Sequence, residues 1–290
     1  MFKKKLFISF CAVCLIVILS ITVGFYMNEQ ITLYKQTVTE SSLQETKIIL
    51  ISDLHDHVFD DDNNQILIDM IDAQNPDLIL MLGDFINDDS EDEAGLLHLV
   101  SALKEISPVY YALGNHEIEY MNRTGIDLTG KIESLGVEVL DLEYEDIIVN
   151  RNKIRIGGMY DYAFALDGNN TCNPDRMKPE VYEFLNEFQD TDSFKLMLSH
   201  RPESFILGEA SKTWDIDLVV SGHTHGGQFV VPFLGGLWAP EQQWFPEYVH
   251  GFYEKDNLDI FITSGLSSNK KLLPRFNNPA EIVSLTLLGE

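Results

Sequence analysis

Five short, largely apolar runs along the chain end in the same kind of side chain, and this recurrence limits the fold more than any other feature. Residues 48–51 lead into Ser52-Asp53-Leu54-His55, residues 78–82 into Gly83-Asp84, and residues 109–113 into Gly114-Asn115-His116-Glu117. Residues 194–198 lead into Ser199-His200-Arg201-Pro202, and residues 218–220 into Ser221-Gly222-His223-Thr224-His225. Runs without polar alternation read as strands buried on both faces. Between them, apolar residues recur at helical spacing: Ile66, Leu67, Met70 and Ile71, then Leu96, Leu97, Val100 and Leu103, and later Val181, Phe184, Leu185 and Phe188. Asn75-Pro76 stops the first of these helices. Strands alternating with helices make an open α/β sheet, where ligands bind beyond the carboxyl ends of the strands. The recurrent side chains all fall at such ends.

Those side chains are of metal-binding type. Histidine is the commonest metal ligand, and His223 and His225, one residue apart after a strand and a glycine turn, can each reach a different ion. Asp53 and His55 are likewise two apart, so continued strand geometry would point both to one side. The formal charge of −26 argues against a protein that grips DNA or another polyanion through phosphate contacts. An anionic substrate drawn into so acidic a body must be attracted by bound cations.

The ends of the domain are less strongly patterned. Residues 6–26 carry no charge and follow Lys3-Lys4-Lys5. At about 1.5 Å per helical residue they would cover roughly 30 Å of hydrocarbon. They therefore read as a membrane anchor within residues 1–28, with a cleaved signal segment and a secreted body as the alternative. Lysines before the span and acidic residues after it leave the N-terminus cytoplasmic and the catalytic body on the non-cytoplasmic side of the cell membrane. Residues 29–46, rich in Thr, Ser, Gln and Glu, read as a tether, and the domain as residues 47–290. Cys11 and Cys14 lie in the apolar run and Cys172 stands alone in the body, so no disulfide within the domain is expected. Residues 229–246 form a long aromatic loop, open to reading as packing, substrate rim or membrane contact. Residues 248–253, 258–263 and 282–287 are strand-like and are expected to close the core as a second sheet.

Taken together, D-x-H at 53 and 55, G-D at 83 and 84, G-N-H-E at 114–117, His200 and G-H-T-H at 222–225 resemble the calcineurin-like metallophosphoesterases, over nearly the whole body. The runs S-G-H-T-H-G-G-Q, L-S-H-R-P-E and P-E-Y-V-H-G-F-Y look most like a bacterial membrane-associated or exported branch. The resemblance implies a four-layer α-β-β-α sandwich, here preceded by one transmembrane helix. It implies that Asp53, His55 and His225 hold one divalent metal ion, that Asn115, His200 and His223 hold a second, and that Asp84 bridges them. A mixed set of oxygen and imidazole donors suits Mn, Fe or Zn. The implied reaction is hydrolysis of a phosphoester by a metal-bridging hydroxide, with His116 assisting the leaving group and Glu117 orienting His116. The tyrosine that purple acid phosphatases would carry just after the Gly-Asp is missing from Phe85-Ile86-Asn87, which argues against that class. His57 reads as a loop residue, and Arg201 and Arg275 as surface or structural pairing. Monoester, diester, and lipid-linked or envelope-derived pyrophosphate substrates all stay open, and a metal-binding, non-catalytic envelope protein is the rival reading.

Overall fold

Strands that are apolar on both faces need cover on both sides. In the computed structural model of the chain, which describes residues 10, 14–15, 18–19, 21–28, 30–40, 43–60, 63–268 and 274–289, two stacked six-stranded sheets with helices outside them supply that cover. In chain order the strands of the first sheet are β1 (Ile31–Thr39), β2 (Thr46–Ile51), β3 (Leu78–Met81), β4 (Val109–Ala112) and β5 (Glu138–Leu140). Then come β6 (Glu143–Val149), β7 (Asn152–Gly158), β8 (Phe194–Leu198) and β9 (Leu218–Ser221) of the second sheet. The aromatic loop folds into two tiny hairpins, β10 (Val230–Val231) with β11 (Gly235–Gly236) and β12 (Trp238–Ala239) with β13 (Gln243–Trp244). The last strands are β14 (Gly251–Lys255), β15 (Leu258–Ile262) and β16 (Ala280–Leu288). The sheet orders are β1-β16-β2-β3-β4-β5 and β14-β15-β9-β8-β7-β6.

The side-chain alternation within one strand shows how the layers form. Ile48 and Leu50 pack between the sheets with Leu196, Leu198 and Val220. Ile49 and Ile51 turn the other way, onto Leu67 and Ile71 of α1 (Gln65–Asp72) and Leu99 and Val100 of α2 (Ala94–Lys104). On the far side, Met197 and Val219 of the second sheet meet other helices, including Phe184 and Phe188. This is the expected four-layer sandwich. β2, β3 and β4 run parallel, with Ile51 level with Met81 and Met81 level with Tyr111, so their carboxyl ends finish side by side. In the second sheet Leu198 is level with Val220.

Two expectations are corrected. The expected tether contains β1, which pairs in parallel with β16 along its whole length, from Ile31 opposite Ala280 to Thr39 opposite Leu288. Only Ile31, Leu33, Tyr34 and Val38 of this edge strand touch the cores, and its Thr, Lys and Gln residues dilute any apolar period. Backbone hydrogen bonding rather than side-chain pattern makes it a strand, so the first sheet includes residues that precede Lys47. The second correction concerns β16, which joins the first sheet between β1 and β2 rather than the second, leaving β14 and β15 to extend the second. Ten of the 21 residues of the expected membrane span lie outside the described residues, and among those described no helix is long and apolar enough to cross a membrane.

Candidate metal centre

The turns after the strands do not continue strand geometry. Asp53, His55, Asp84, His223 and His225 all have positive φ, between 47° and 68°, a region costing non-glycine residues of order 1–3 kcal/mol each and tolerated mainly at functional sites. Local hydrogen bonds hold the turns together. The Asp53 backbone N–H donates to the Gly83 carbonyl (3.0 Å) and that of His55 to the Asp84 carbonyl (3.1 Å). Glu117, fully buried in the first turn of α3 (Asn115–Thr124), accepts from the backbone N–H groups of Asp84, Phe85 and Gly114 at 2.8, 2.7 and 2.9 Å and from the Tyr111 hydroxyl at 2.7 Å. At Gly114 any Cβ would run into the Asp84 side chain, so this close approach requires glycine.

Six of the seven candidate ligands fall into two convergent groups, and Asn115 lines the same cleft as Asp84 and His223. Asp53, His55 and His225 each offer a donor atom within 4.8 Å of the others, and so do Asp84, His200 and His223. Asp84 Oδ2 lies 3.1 Å from His200 Nε2, 3.8 Å from His55 Nε2 and 4.0 Å from His116 Nε2, which puts it at the junction of the two groups. His225 Nδ1 is 3.7 Å from Asp53 Oδ1. Each ring is oriented by its second nitrogen, as metal-ligating histidines usually are. His55 Nδ1 meets Asn87 Oδ1 (3.1 Å), His200 Nδ1 the Leu82 carbonyl (2.7 Å) and His225 Nδ1 the Ser267 carbonyl (3.1 Å). His223 Nε2 meets Glu241 Oε2 (2.7 Å), and its Nδ1 sits 3.1 Å from His200 Nε2.

Two atoms test whether metal ions fit here. Asn115 Oδ1 and His55 Nε2 are buried with no hydrogen-bond partner. Such orphans are costly unless something compensates them, and a divalent cation satisfies both an amide oxygen and a bare imidazole nitrogen. The electrostatics agree. Burial alone would raise the Asp84 carboxyl, but the imidazoles of His200, His55 and His116 hold it well below the usual carboxylate range. Burial pushes His225 down to about 3 and also lowers His55, so both rings stay neutral, the state a metal ligand needs. Burial would lower His200 too, yet the Asp84 carboxylate against it pushes it up to about 9. A cation is therefore favoured at the Asp84 edge, whether a proton on His200 or a metal ion.

Several partners differ from the sequence reading. Glu117 does not orient His116; its carboxylate is consumed by the turns, and burial followed by Asp84 raises its pKa. His116 Nδ1 instead faces Asp88, accepting its backbone N–H at 3.0 Å with the Asp88 carboxylate 3.1 Å away. Nothing in the spacing of Gly83-Asp84-Phe85-Ile86-Asn87-Asp88 marks that role. Glu241 was also missed, because it reaches His223 from the aromatic loop, whose pattern carries no metal signal. Arg275 is structural, as expected: its guanidinium is buried and donates to the carbonyls of Asn278, Ser264, Ser267, Gly265 and Pro279 at 2.7–2.9 Å. It thereby fixes Ser267, whose carbonyl orients His225 and whose N–H donates to the Asp53 carbonyl (2.7 Å). His57 stays outside both ligand groups and packs edge-on against Phe59.

The cluster opens into a cleft of about 410 Å³ bordered by Asp84, His116, Tyr160, Arg201, Trp238 and Glu241. Comparison with known proteins adds to this geometry. Residues 46–227 match the family profile described as calcineurin-like phosphoesterase. An uncharacterized metallophosphoesterase of Campylobacter jejuni is 30% identical over 260 residues, covering 85% of this chain. The match spans 60% of that relative's length. The phosphodiesterase YaeI of Escherichia coli is 29% identical over 74% of this chain and 72% of its own. The UDP-2,3-diacylglucosamine pyrophosphatase LpxG of Chlamydia trachomatis is 24% identical over 86% of this chain and 85% of its own.

Proposed function

Because the chain belongs to the calcineurin-like phosphoesterase family, we propose that its cleft hydrolyses phosphoesters with two divalent metal ions. Asp53, His55 and His225 would hold one ion, Asn115, His200 and His223 the other, and Asp84 both. The observation that carries this reading is the pair of buried, partnerless donors, Asn115 Oδ1 and His55 Nε2, inside a convergent ligand cluster. The donor set favours Mn, Fe or Zn. Such ions, when bound, polarise phosphoryl oxygens and bring the ionisation of a water near neutral pH. The chain's own residues then orient and protonate. His116 Nε2, beside Asp84 at the cleft wall, donates a proton to the leaving oxygen as its bond to phosphorus breaks. Asp88 keeps the ring turned for this.

The substrate class is left to experiment. The relatives are named a phosphodiesterase and a nucleotide-lipid pyrophosphatase, so diesters and diphosphate-linked lipids join monoesters as candidates. The test is a panel of all three with the full chain, with metal content measured in parallel. The full chain is needed because a truncation that began at Lys47 would lack β1. Close to two ions per chain and turnover of at least one class are expected. A folded protein that takes up no Mn, Fe or Zn and cleaves nothing would remove the reading, while full metal content without turnover would favour the non-catalytic rival.

We also propose that residues 6–26 anchor the chain with the body on the non-cytoplasmic face. The lysines before the apolar run and the acidic body after it support this. The segment is not joined through a long tether: Gly24 O accepts from the Asn277 N–H (3.0 Å) and Phe25 packs edge-on against Phe276. Protease added outside intact cells should digest the body and spare an N-terminal tag. Digestion only after the membrane is opened would rule this topology out.

A further inference from the structure

Besides its histidines, the cleft has one basic side chain on its wall among the described residues, Arg201, in a chain with a formal charge of −26. Arg201 directly follows the ligand candidate His200, yet the two diverge. The His200 ring is fully buried against Asp84, whereas the Arg201 guanidinium is half-buried and lies over the rings of Tyr160 (4.2 Å) and Tyr162 (4.6 Å). Its Nη1 donates to the Tyr162 hydroxyl at 3.2 Å and its Nη2 to the Tyr160 carbonyl at 3.1 Å. These bonds use two of five donors. Nε has no partner, and no carboxylate lies within ion-pair distance among the described residues. Glu241, on the same cleft wall, feels the Arg201 charge but is already bonded to His223.

A cation this well oriented and this poorly neutralised is preorganised for an anion. Stacking on two tyrosines removes most of the rotamer freedom that binding would otherwise cost. On the hydrolase reading the phosphoryl group under attack is assigned to Asp84, Asn115 and His116, and Arg201 borders the same cleft. A cleft of about 410 Å³ has room for more than one phosphoryl group.

We propose that Arg201 forms a subsite for a second, non-scissile phosphoryl group, so that the cleft prefers substrates with two linked phosphoryl groups over substrates with one. This rests on the hydrolase reading above. In the reaction one water is consumed: its oxygen bonds to the scissile phosphorus, and the bond from that phosphorus to the bridging oxygen breaks. The electron pair stays on the bridging oxygen, which departs with the phosphoryl group on Arg201, and the water's proton passes to solvent or, through His116, to that oxygen.

Calorimetry on the metal-loaded full chain, with free divalent ion held constant, tests this through the affinities of orthophosphate, methylenediphosphonate and phosphonoacetate. Wild type should bind the diphosphonate about 10- to 100-fold more tightly than orthophosphate, the span of one charge-assisted, two-point contact. Arg201→Gln should erase most of that ratio. Arg201→Lys, which keeps charge but loses the planar fork, should fall between and covers the case in which the glutamine variant does not fold. A ratio near one in wild type, or a ratio unchanged in a folded, metal-loaded variant, would overturn the subsite. Tighter binding of phosphonoacetate than of the diphosphonate would overturn its assignment to a phosphoryl group. A preserved ratio without turnover of any phosphoester would leave the subsite standing and remove the hydrolase reading; turnover without a ratio would do the reverse.

Discussion

The His116→Asn variant should retain its metal ions and lose about 10² to 10⁴ in turnover, the usual contribution of a positioned general acid. His116 Nε2 is 4.0 Å from Asp84 Oδ2, beyond hydrogen-bond distance, and the same ring takes part in a convergent group with His55 and Asp84. Geometry therefore admits two roles, ligand and acid, and metal content separates them. If the ring donates a proton, the loss should be greatest with poor leaving groups and small with a nitrophenolate, which departs without help. Asp88→Asn should follow the same trend with smaller amplitude, because Asp88 packs against Nδ1, with its carboxylate 3.1 Å away, and so fixes how the ring presents Nε2. Equal losses across leaving groups would assign His116 to positioning, and a loss of metal would make it a ligand.

The largest effect on the ions themselves is expected from Asp84→Asn. Asp84 lies at the meeting point of both ligand groups, and its other oxygen, Oδ1, accepts the His116 backbone N–H at 2.9 Å. Asparagine keeps that acceptor and the shape of the turn while removing one negative charge. At about 4 Å and an effective dielectric near 20, a pair of unit charges is worth roughly 4 kcal/mol, so occupancy of both ions should weaken on the order of 10³-fold and activity should fall with it. The fold should survive, because asparagine keeps the oxygen that accepts the His116 N–H and leaves the apolar cores intact. Thermal melting provides the readout: wild type should gain stability on metal addition and the variant should gain little. Undiminished binding of two ions by Asp84→Asn would disprove a bridging role.

Sequence alone determined the layered core and the set of candidate ligands. A strand buried on both faces is apolar along most of its length, so β2, β3, β4, β8 and β9 declare themselves without any partner in view. Parallel strands in register then bring the residues after them to one edge, and for this reason Asp53, His55, Asp84, His200, His223 and His225 were legible as residues that converge, with Asn115 on the same cleft. The tertiary structure decided the polar pairing. Glu117 has a role different from the one its spacing suggested, because it is turned inward where three backbone N–H groups need an acceptor, and Asp88 has one that its spacing did not mark. Glu241 enters the cleft wall from a loop that carries no metal signature, and Arg201 reaches that wall from beside His200. β1 escaped notice because an edge strand is held by its ladder with β16. Residue order records burial, since removing apolar area from water acts on each side chain separately. It does not record which distant donor a carboxylate will meet, since that hydrogen bond exists only after the backbone has closed around it.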